Sequence, residues 1–248
     1  MYSLHFFYGV HAVEKLFLSG SYTHVLSLFV VPGNNRFRHI LLQARLKKIE
    51  INFVSKTVIN NSFSLCENQG IVAVTKNFFI KTYEDVSIKI NEDSLFLILD
   101  GIRDSNNLGS CLRTAYLLGV TVVILSKQNT CSINMGVCKT SSGFIGCVPI
   151  LYVDNMTLFL GYLKRKSVVI VGMTHLSNAS ICDNIGGCYF TLPCAVIFGT
   201  ENSGLCKQNK NYCTYLLKIA MFKKGPLDNL NLAVSVGIVL YEITRGRF

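Results

Sequence analysis

An α/β architecture with a mostly parallel sheet sandwiched between helices is what this chain of 248 residues predicts. Three observations lead there. The runs "SLFLILD", "VTVVILS", "SVVIVGMT" and "CAVIFGT" are continuously apolar rather than alternating, which is the pattern of strands covered on both faces. Stretches with helical spacing separate the strand-like ones. Half of the residues are hydrophobic, enough for the core of one large domain or two small ones.

In chain order, "GVHAVEKLFLSG" predicts a helix stopped by Gly20, and "HVLSLFVVP" a strand stopped by Pro32. "RFRHILLQARLKK" reads as a helix, and "IEINFVS" and "NQGIVAVTK" as strands. "NFFIKTYEDVSIKINEDS" has mixed charges and no sustained period, so it reads as a connection. The chain is thereby divided into a unit over 1–80, a linker over 81–93 and a second unit over 94–248. The second unit opens as strand, helix, strand, with "LGSCLRTAYLLG" as the helix and Gly119 as its stop. A last helix is expected over about 229–244, where Leu230, Val234, Gly237, Ile238 and Tyr241 recur at helical spacing and are expected to pack in the core.

The net charge of +10 is spread over both large units, +5 over 1–80 and +7 over 94–248, against −2 between them. Such a balance attracts phosphate-rich partners, either nucleic acid or an anionic membrane surface. No apolar run reaches the ~20 residues that span a bilayer, so no membrane helix is expected. The ten Cys never form C-x-x-C, and the five His (His5, His11, His24, His39, His175) show no zinc-ligand spacing, so no metal site is expected. The start "MYSLHFFYGVHAVEKLF" lacks the features of a secretion signal. Buried free thiols in a reducing, cytoplasmic setting are the expectation.

Three polar corners follow strands of the second unit, where ligands of parallel sheets bind. The first, "DGIRDSNNLGSCLRTA", leads into a helix expected to start near Leu108. Helical side chains lean toward the N-terminus, so Arg113 is expected to lean back toward Asn107, giving an amide and a guanidinium for a phosphate or ribose hydroxyl. The same residues also fit a plain helix cap, with Asn106 and Asn107 capping and Arg113 a surface cation. The second corner is "VIFGTENSGLCK". Leu205 and Cys206 stand where a phosphate-binding P-loop requires Lys and Ser or Thr, so the flanking glycines point instead to close backbone approach to a flat ligand beside Glu201. The third, "IAMFKKGPLDNLNLAVSVGIVLYEI", offers Pro226 with Asp228 or Asn229 as helix-start chemistry. Asn231 interrupts the apolar surroundings there, as a buried amide or a ligand contact.

In order and content the corners resemble the three signature motifs of the SpoU family of RNA ribose 2'-O-methyltransferases, part of the SPOUT class. Asn107, Leu108, Gly109, Leu112, Arg113, Thr114 and Ala115 match the first; Gly199, Glu201 and Gly204 the second; Met221, Leu230 and Asn231 the third. "YGVHAVEKLF", "NQGIVAV" and "KTSSGFIGCVPI" look like stretches of the bacterial members that methylate a guanosine ribose in 23S ribosomal RNA. The resemblance implies an L30e-like RNA-binding domain, a catalytic domain with a C-terminal trefoil knot, and a homodimer with its active site near the subunit interface. A knot would not be proposed from sequence physics, since threaded chains are rare.

The resemblance also implies S-adenosylmethionine as cofactor, held by Gly199, Thr200, Glu201, Gly204, Ile219, Met221 and Leu230. Arg113 matches the family's catalytic arginine. A guanidinium is a very weak base, so its expected role is to grip a substrate phosphate and align the 2'-hydroxyl, that phosphate helping to take the proton. Asn107 and Glu201 would orient the arginine and ribose, and Asn231 completes the catalytic set. Asn229, Ala233 and Ala220 depart from the family's usual Ser, Ser and Pro. Activity on transfer RNA, or an inactive RNA-binding ribosome-assembly factor, are the alternatives; a dinucleotide enzyme is disfavoured because no G-x-G-x-x-G follows a strand.

Overall fold

A computed structural model describes residues 4–63, 68–76, 80–82, 90–174, 182–184, 190–201, 203–222 and 230–247. The first unit runs β1 (Leu4–Tyr8), α1 (Val10–Leu18), β2 (Val25–Val30), α2 (Arg38–Leu46), β3 (Glu50–Phe53), α3 (Lys56–Phe63) and β4 (Ile71–Lys76). Its sheet has the order β1-β4-β2-β3, with β4 antiparallel to both β1 and β2 and β3 parallel to β2. Strand β1 and helix α3 were not expected from the sequence. Both bury little, α3 only Ile59, so neither imposes a strong apolar period.

The second unit follows as β5 (Ile80–Thr82), β6 (Leu95–Leu99), α4 (Ser105–Leu117), β7 (Val122–Ser126), α5 (Met135–Thr140), β8 (Ile150–Val153), α6 (Met156–Arg165), β9 (Val169–Met173), β10 (Cys182–Asn184), β11 (Cys194–Phe198), α7 (Lys207–Lys210), β12 (Tyr215–Lys218) and α8 (Leu232–Thr244). The eight strands lie in the order β10-β12-β9-β11-β6-β7-β8-β5, and every pairing is parallel. β5 pairs with β8, so the stretch read as a connection gives a strand to this sheet. All five residues of β6 and of β11 are buried. Leu95, Leu97 and Leu99 point into one core with α4, α5 and α8, while Phe96 and Ile98 point into another with α6. Each such side chain contributes roughly 2 kcal/mol of burial, which is why these strands carry no polar residue.

After β6 the chain builds outward through β7 and β8, then crosses to β9 on the other side, and β11 fills the slot between. The carboxyl ends of β6 and β11 thus flank the point where strand order reverses, the usual ligand crevice of open parallel sheets. Helix α4 starts at Ser105 rather than near Leu108, because Asp104 accepts from the Asn106 N–H at 2.9 Å and so supplies the cap.

Helix α8 corrects a second expectation. Its buried side is Val236, Val239, Leu240 and Ile243, whereas Leu230, Val234 and Tyr241, expected in the core, are 39%, 50% and 54% exposed. The helix is apolar almost all round, so spacing alone could not choose between two opposite stripes. Pro226, Asp228 and Asn229, expected to open it, lie outside the described residues. The two units share one core: Phe7, Val13 and Leu16 of the first pack in the same cluster as Leu97, Leu112 and Val137 of the second.

Candidate active site

Three loops meet at the carboxyl edge of the large sheet. The one after β6 enters α4, and the one after β11 forms a narrow turn in which Thr200 and Gly204 exchange backbone hydrogen bonds of 3.1 and 2.9 Å. A Cβ on Gly199 would stand 2.1 Å from the Gly204 carbonyl carbon. The loop's own closure therefore requires a glycine at this position. Within the turn the Thr200 and Ser203 hydroxyls lie 2.6 Å apart. Glu201 projects from it, exposed.

The third loop ends at Asn231, the N-cap of α8, whose Oδ1 accepts from the N–H groups of Ala233 at 2.8 Å and Val234 at 3.4 Å. With that oxygen engaged, the Asn231 Nδ2 donates to Asn107 Oδ1 at 2.8 Å, and the Asn107 Nδ2 donates to Glu201 Oε1 at 2.5 Å. An amide whose oxygen accepts must present its nitrogen onward. The order Asn231, Asn107, Glu201 therefore orients each group in turn and ties the three loops together across 124 positions of sequence. At Ala233, where the resemblance leads one to expect a hydroxyl, Asn231 engages the backbone N–H and not the side chain.

Arg113 stands apart from this chain. Six residues along α4 from Asn107, it is rotated about 120° around the axis and displaced about 9 Å along it, so the expected lean toward Asn107 does not occur. Its Nη1 donates to Ser142 Oγ at 3.2 Å and its guanidinium lies 5.9 Å from the Phe144 ring centroid. No carboxylate pairs with it among the described residues. Ile219, directly after β12, packs half-buried against the main core; Met221 is half-buried, and Leu230 flanks Asn231.

Two residues of this region were not anticipated. Asn209 is 2% exposed, donates to Asp100 Oδ2 at 2.9 Å and accepts from Thr157 Oγ1 at 2.9 Å, pinning the end of β6 to α7. Burial raises the Asp100 pKa above the ordinary carboxylate value, with hydrogen bonds from Asn209 and Ser126 opposing it. Ser142 lies in "KTSSGFIGCVPI", and nothing in its spacing marks it. Among the described residues no three His, Cys, Asp or Glu form a group fit for a metal ion, and no helix is long and apolar enough to cross a membrane. Cys111, Cys131, Cys138, Cys147, Cys206 and Cys213 carry free thiols; burial pushes the Cys111 and Cys138 thiols up to about 12, while Cys206, expected to be buried, is exposed.

Residues 94–241, which contain all three loops, match the model of the SpoU rRNA Methylase family. The chain belongs to the SpoU rRNA methylase family. Residues 6–79 match a second model, described as RNA 2'-O ribose methyltransferase substrate binding. The SpoU chain is 33% identical over 245 residues to the 23S rRNA (guanosine-2'-O-)-methyltransferase of Neisseria meningitidis serogroup B, covering 97% of this chain and 94% of that protein. The enzyme of the same description from Shewanella oneidensis is 31% identical, with 97% and 96% covered. Among solved structures, the SpoU methyltransferase AviRb from Streptomyces viridochromogenes in complex with AdoMet superposes with a TM-score of 0.81 at 21% identity, covering 98% of this chain and 90% of that one. The AdoMet-bound rRNA methyltransferase from Sinorhizobium meliloti gives 0.80 at 20%, covering 99% and 88%. At those identities the superpositions establish the fold of this SpoU chain.

Proposed function

We propose that this chain transfers a methyl group from S-adenosylmethionine to the ribose 2'-hydroxyl of a guanosine in 23S ribosomal RNA. The observation that carries the reading is the Asn231–Asn107–Glu201 chain of hydrogen bonds at the switch point of a SpoU-family sheet. Relatives with the 23S rRNA guanosine activity are matched over 97% of this chain, including its first unit. A tRNA-modifying relative from A. aeolicus is matched over only 64%, which favours ribosomal over transfer RNA.

The donor set fits the cofactor. Exposed Glu201 and the backbone of Gly199, Thr200 and Gly204 offer polar contacts, and half-buried Ile219 and Met221 with Leu230 offer apolar ones. Bound there, S-adenosylmethionine supplies a methyl on a sulfonium, whose positive charge disappears on transfer, so positioning in a largely apolar setting suffices without a metal. Arg113 holds a substrate phosphate through its fork of donors and thereby aligns the ribose. Asn107 and Glu201 fix the ribose orientation, and Asn231 fixes Asn107. The hydroxyl proton leaves toward an oxygen of the phosphate that Arg113 holds, because a guanidinium that never deprotonates cannot itself take it.

The finer architecture belongs to the same reading: residues 1–80 as an L30e-like RNA-binding domain, 81–93 as a linker whose first two residues end strand β5, 94–248 as a catalytic domain with a trefoil knot, and a cytoplasmic homodimer. The insertion of β11 between β9 and β6, followed by the return of α8 onto α4, supports the knot. The outward stripe Leu230, Val234 and Tyr241 supports the dimer. The free cysteines support the cytoplasm. The test is incubation of purified protein with isotopically labelled S-adenosylmethionine and unmodified 23S rRNA, followed by nucleoside mass spectrometry. Label in 2'-O-methylguanosine is expected; label on a base, or none, contradicts the proposal.

A further inference from the structure

At the turn from Ser142 to Phe144, just after α5, the two units touch. Ser142 and Gly143 both have left-handed backbones, with φ of 50° and 82°. A Cβ on Gly143 would stand 2.5 Å from the Ala12 Cα, so α1 presses backbone against backbone on this turn. Lys15 lies three residues beyond Ala12, hence on the same face of α1. Its Nζ donates to the Ser142 carbonyl oxygen at 2.9 Å and stands 3.5 Å from the Phe144 ring centroid. Arg113, from α4, reaches the same turn: it donates to the Ser142 hydroxyl at 3.2 Å and lies 5.9 Å from the same centroid.

Two cations from different units are therefore gathered on one residue and around one ring. Neither is ion-paired among the described residues. Burial, and after it the Arg113 charge, lowers the Lys15 pKa. The ring and the serine orient both groups but neutralise neither, and Cys147 and Glu14 offset only part of what lowers the Lys15 pKa, so an anion bridging the two cations would relieve the rest of their repulsion. A phosphodiester, with one negative charge shared over two non-bridging oxygens, has the form to do so.

We propose that Lys15 and Arg113 form a seat for one phosphodiester of the RNA substrate, so that the first unit supplies a binding group to the reaction site of the second. This rests on the RNA methyltransferase reading and names the residue through which substrate-binding and catalytic units act together. The position of Lys15 also fits a simple staple between the units, and the two roles differ in their dependence on salt. Removing a cation that neutralises one phosphate lowers the slope of log affinity against log salt by about one, whereas removing a staple leaves that slope unchanged.

The experiment measures binding of a 23S rRNA fragment, without methyl donor, by the full-length chain across a salt series for wild type, Lys15→Met and Lys15→Arg. Met keeps the stem over Phe144 and removes the charge; Arg restores the charge. Lys15→Met is expected to bind about tenfold more weakly at low salt with the slope reduced by about one, and Lys15→Arg to recover the slope. An unchanged slope in Lys15→Met, or a fall that Lys15→Arg does not restore, overturns the seat, whatever the melting temperatures show. Failure of the wild type to methylate ribose overturns the reading beneath it and is read in a separate assay.

Discussion

At the scale of single residues, the site depends on side chains that can orient one another without titrating. Asn107 and Asn231 do this as amides: the Asn231 oxygen caps its own helix while its nitrogen donates to the Asn107 oxygen, and the Asn107 nitrogen donates on to Glu201. Asp100 behaves differently, since burial raises its pKa in the folded chain above the value near 3.8 of an exposed carboxylate. The folded state therefore binds more protons than the unfolded state in the window just above 3.8, and stability falls as pH rises through it. Asp100→Asn keeps an oxygen acceptor for Asn209 and removes the charge. Denaturant melts across acidic to neutral pH should show the wild type losing stability relative to this variant as pH rises through the window; a flat or rising difference contradicts the burial argument. Asp100 was legible only as the end of a strand. Its partner Asn209 was not legible at all, because 109 residues separate them.

At the scale of elements, the placement of α4 decides which of its residues reach the site. Its first turn carries Asn107 to the sheet edge, and Gly109, one turn deeper than the Asp104 cap, meets α5. A Cβ there would stand 1.9 Å from Thr140 Oγ1 and 2.8 Å from both the Ser141 nitrogen and the Val137 oxygen, two of the three being backbone atoms that cannot swing aside. Gly109→Ala is accordingly expected to destabilise the fold by ~1–3 kcal/mol despite its better helix propensity, read as a lower denaturation midpoint. A gain in stability would show that α4 and α5 pack less closely than described. The buried strands were legible because unbroken apolar runs have few other uses. The start of α4 was misplaced by a turn because Asp104, not an asparagine, caps it. Helix α8 shows the opposite limit: two apolar stripes on one helix, and no sequence rule to say which faces inward.

At the scale of the whole molecule, the first unit is not an appendage. Its α1 and β1 share a core with the larger sheet, and its Lys15 reaches the turn that holds Arg113. The other large-scale feature is the outward apolar stripe of α8, which the proposed homodimer would cover. Sedimentation of the double variant Val234→Asp with Tyr241→Asp should give a monomer where the wild type gives a dimer, with the circular dichroism spectrum kept; a dimer that survives both charges places the interface elsewhere. The resemblance of motifs in the sequence reached the family, and it picked out Asn107, Glu201 and Asn231, which the fold brings together. It did not reach the geometry of Arg113, whose partners come from a turn 29 residues further on. The account's central claim is that Arg113 acts on the bound ribose by holding its phosphate in place. The direct measurement is single-turnover methyl transfer to 23S rRNA at saturating RNA and S-adenosylmethionine, comparing wild type with Arg113→Ala. The account predicts transfer slowed by at least about 100-fold with cofactor affinity retained, and transfer at the wild-type rate would contradict it.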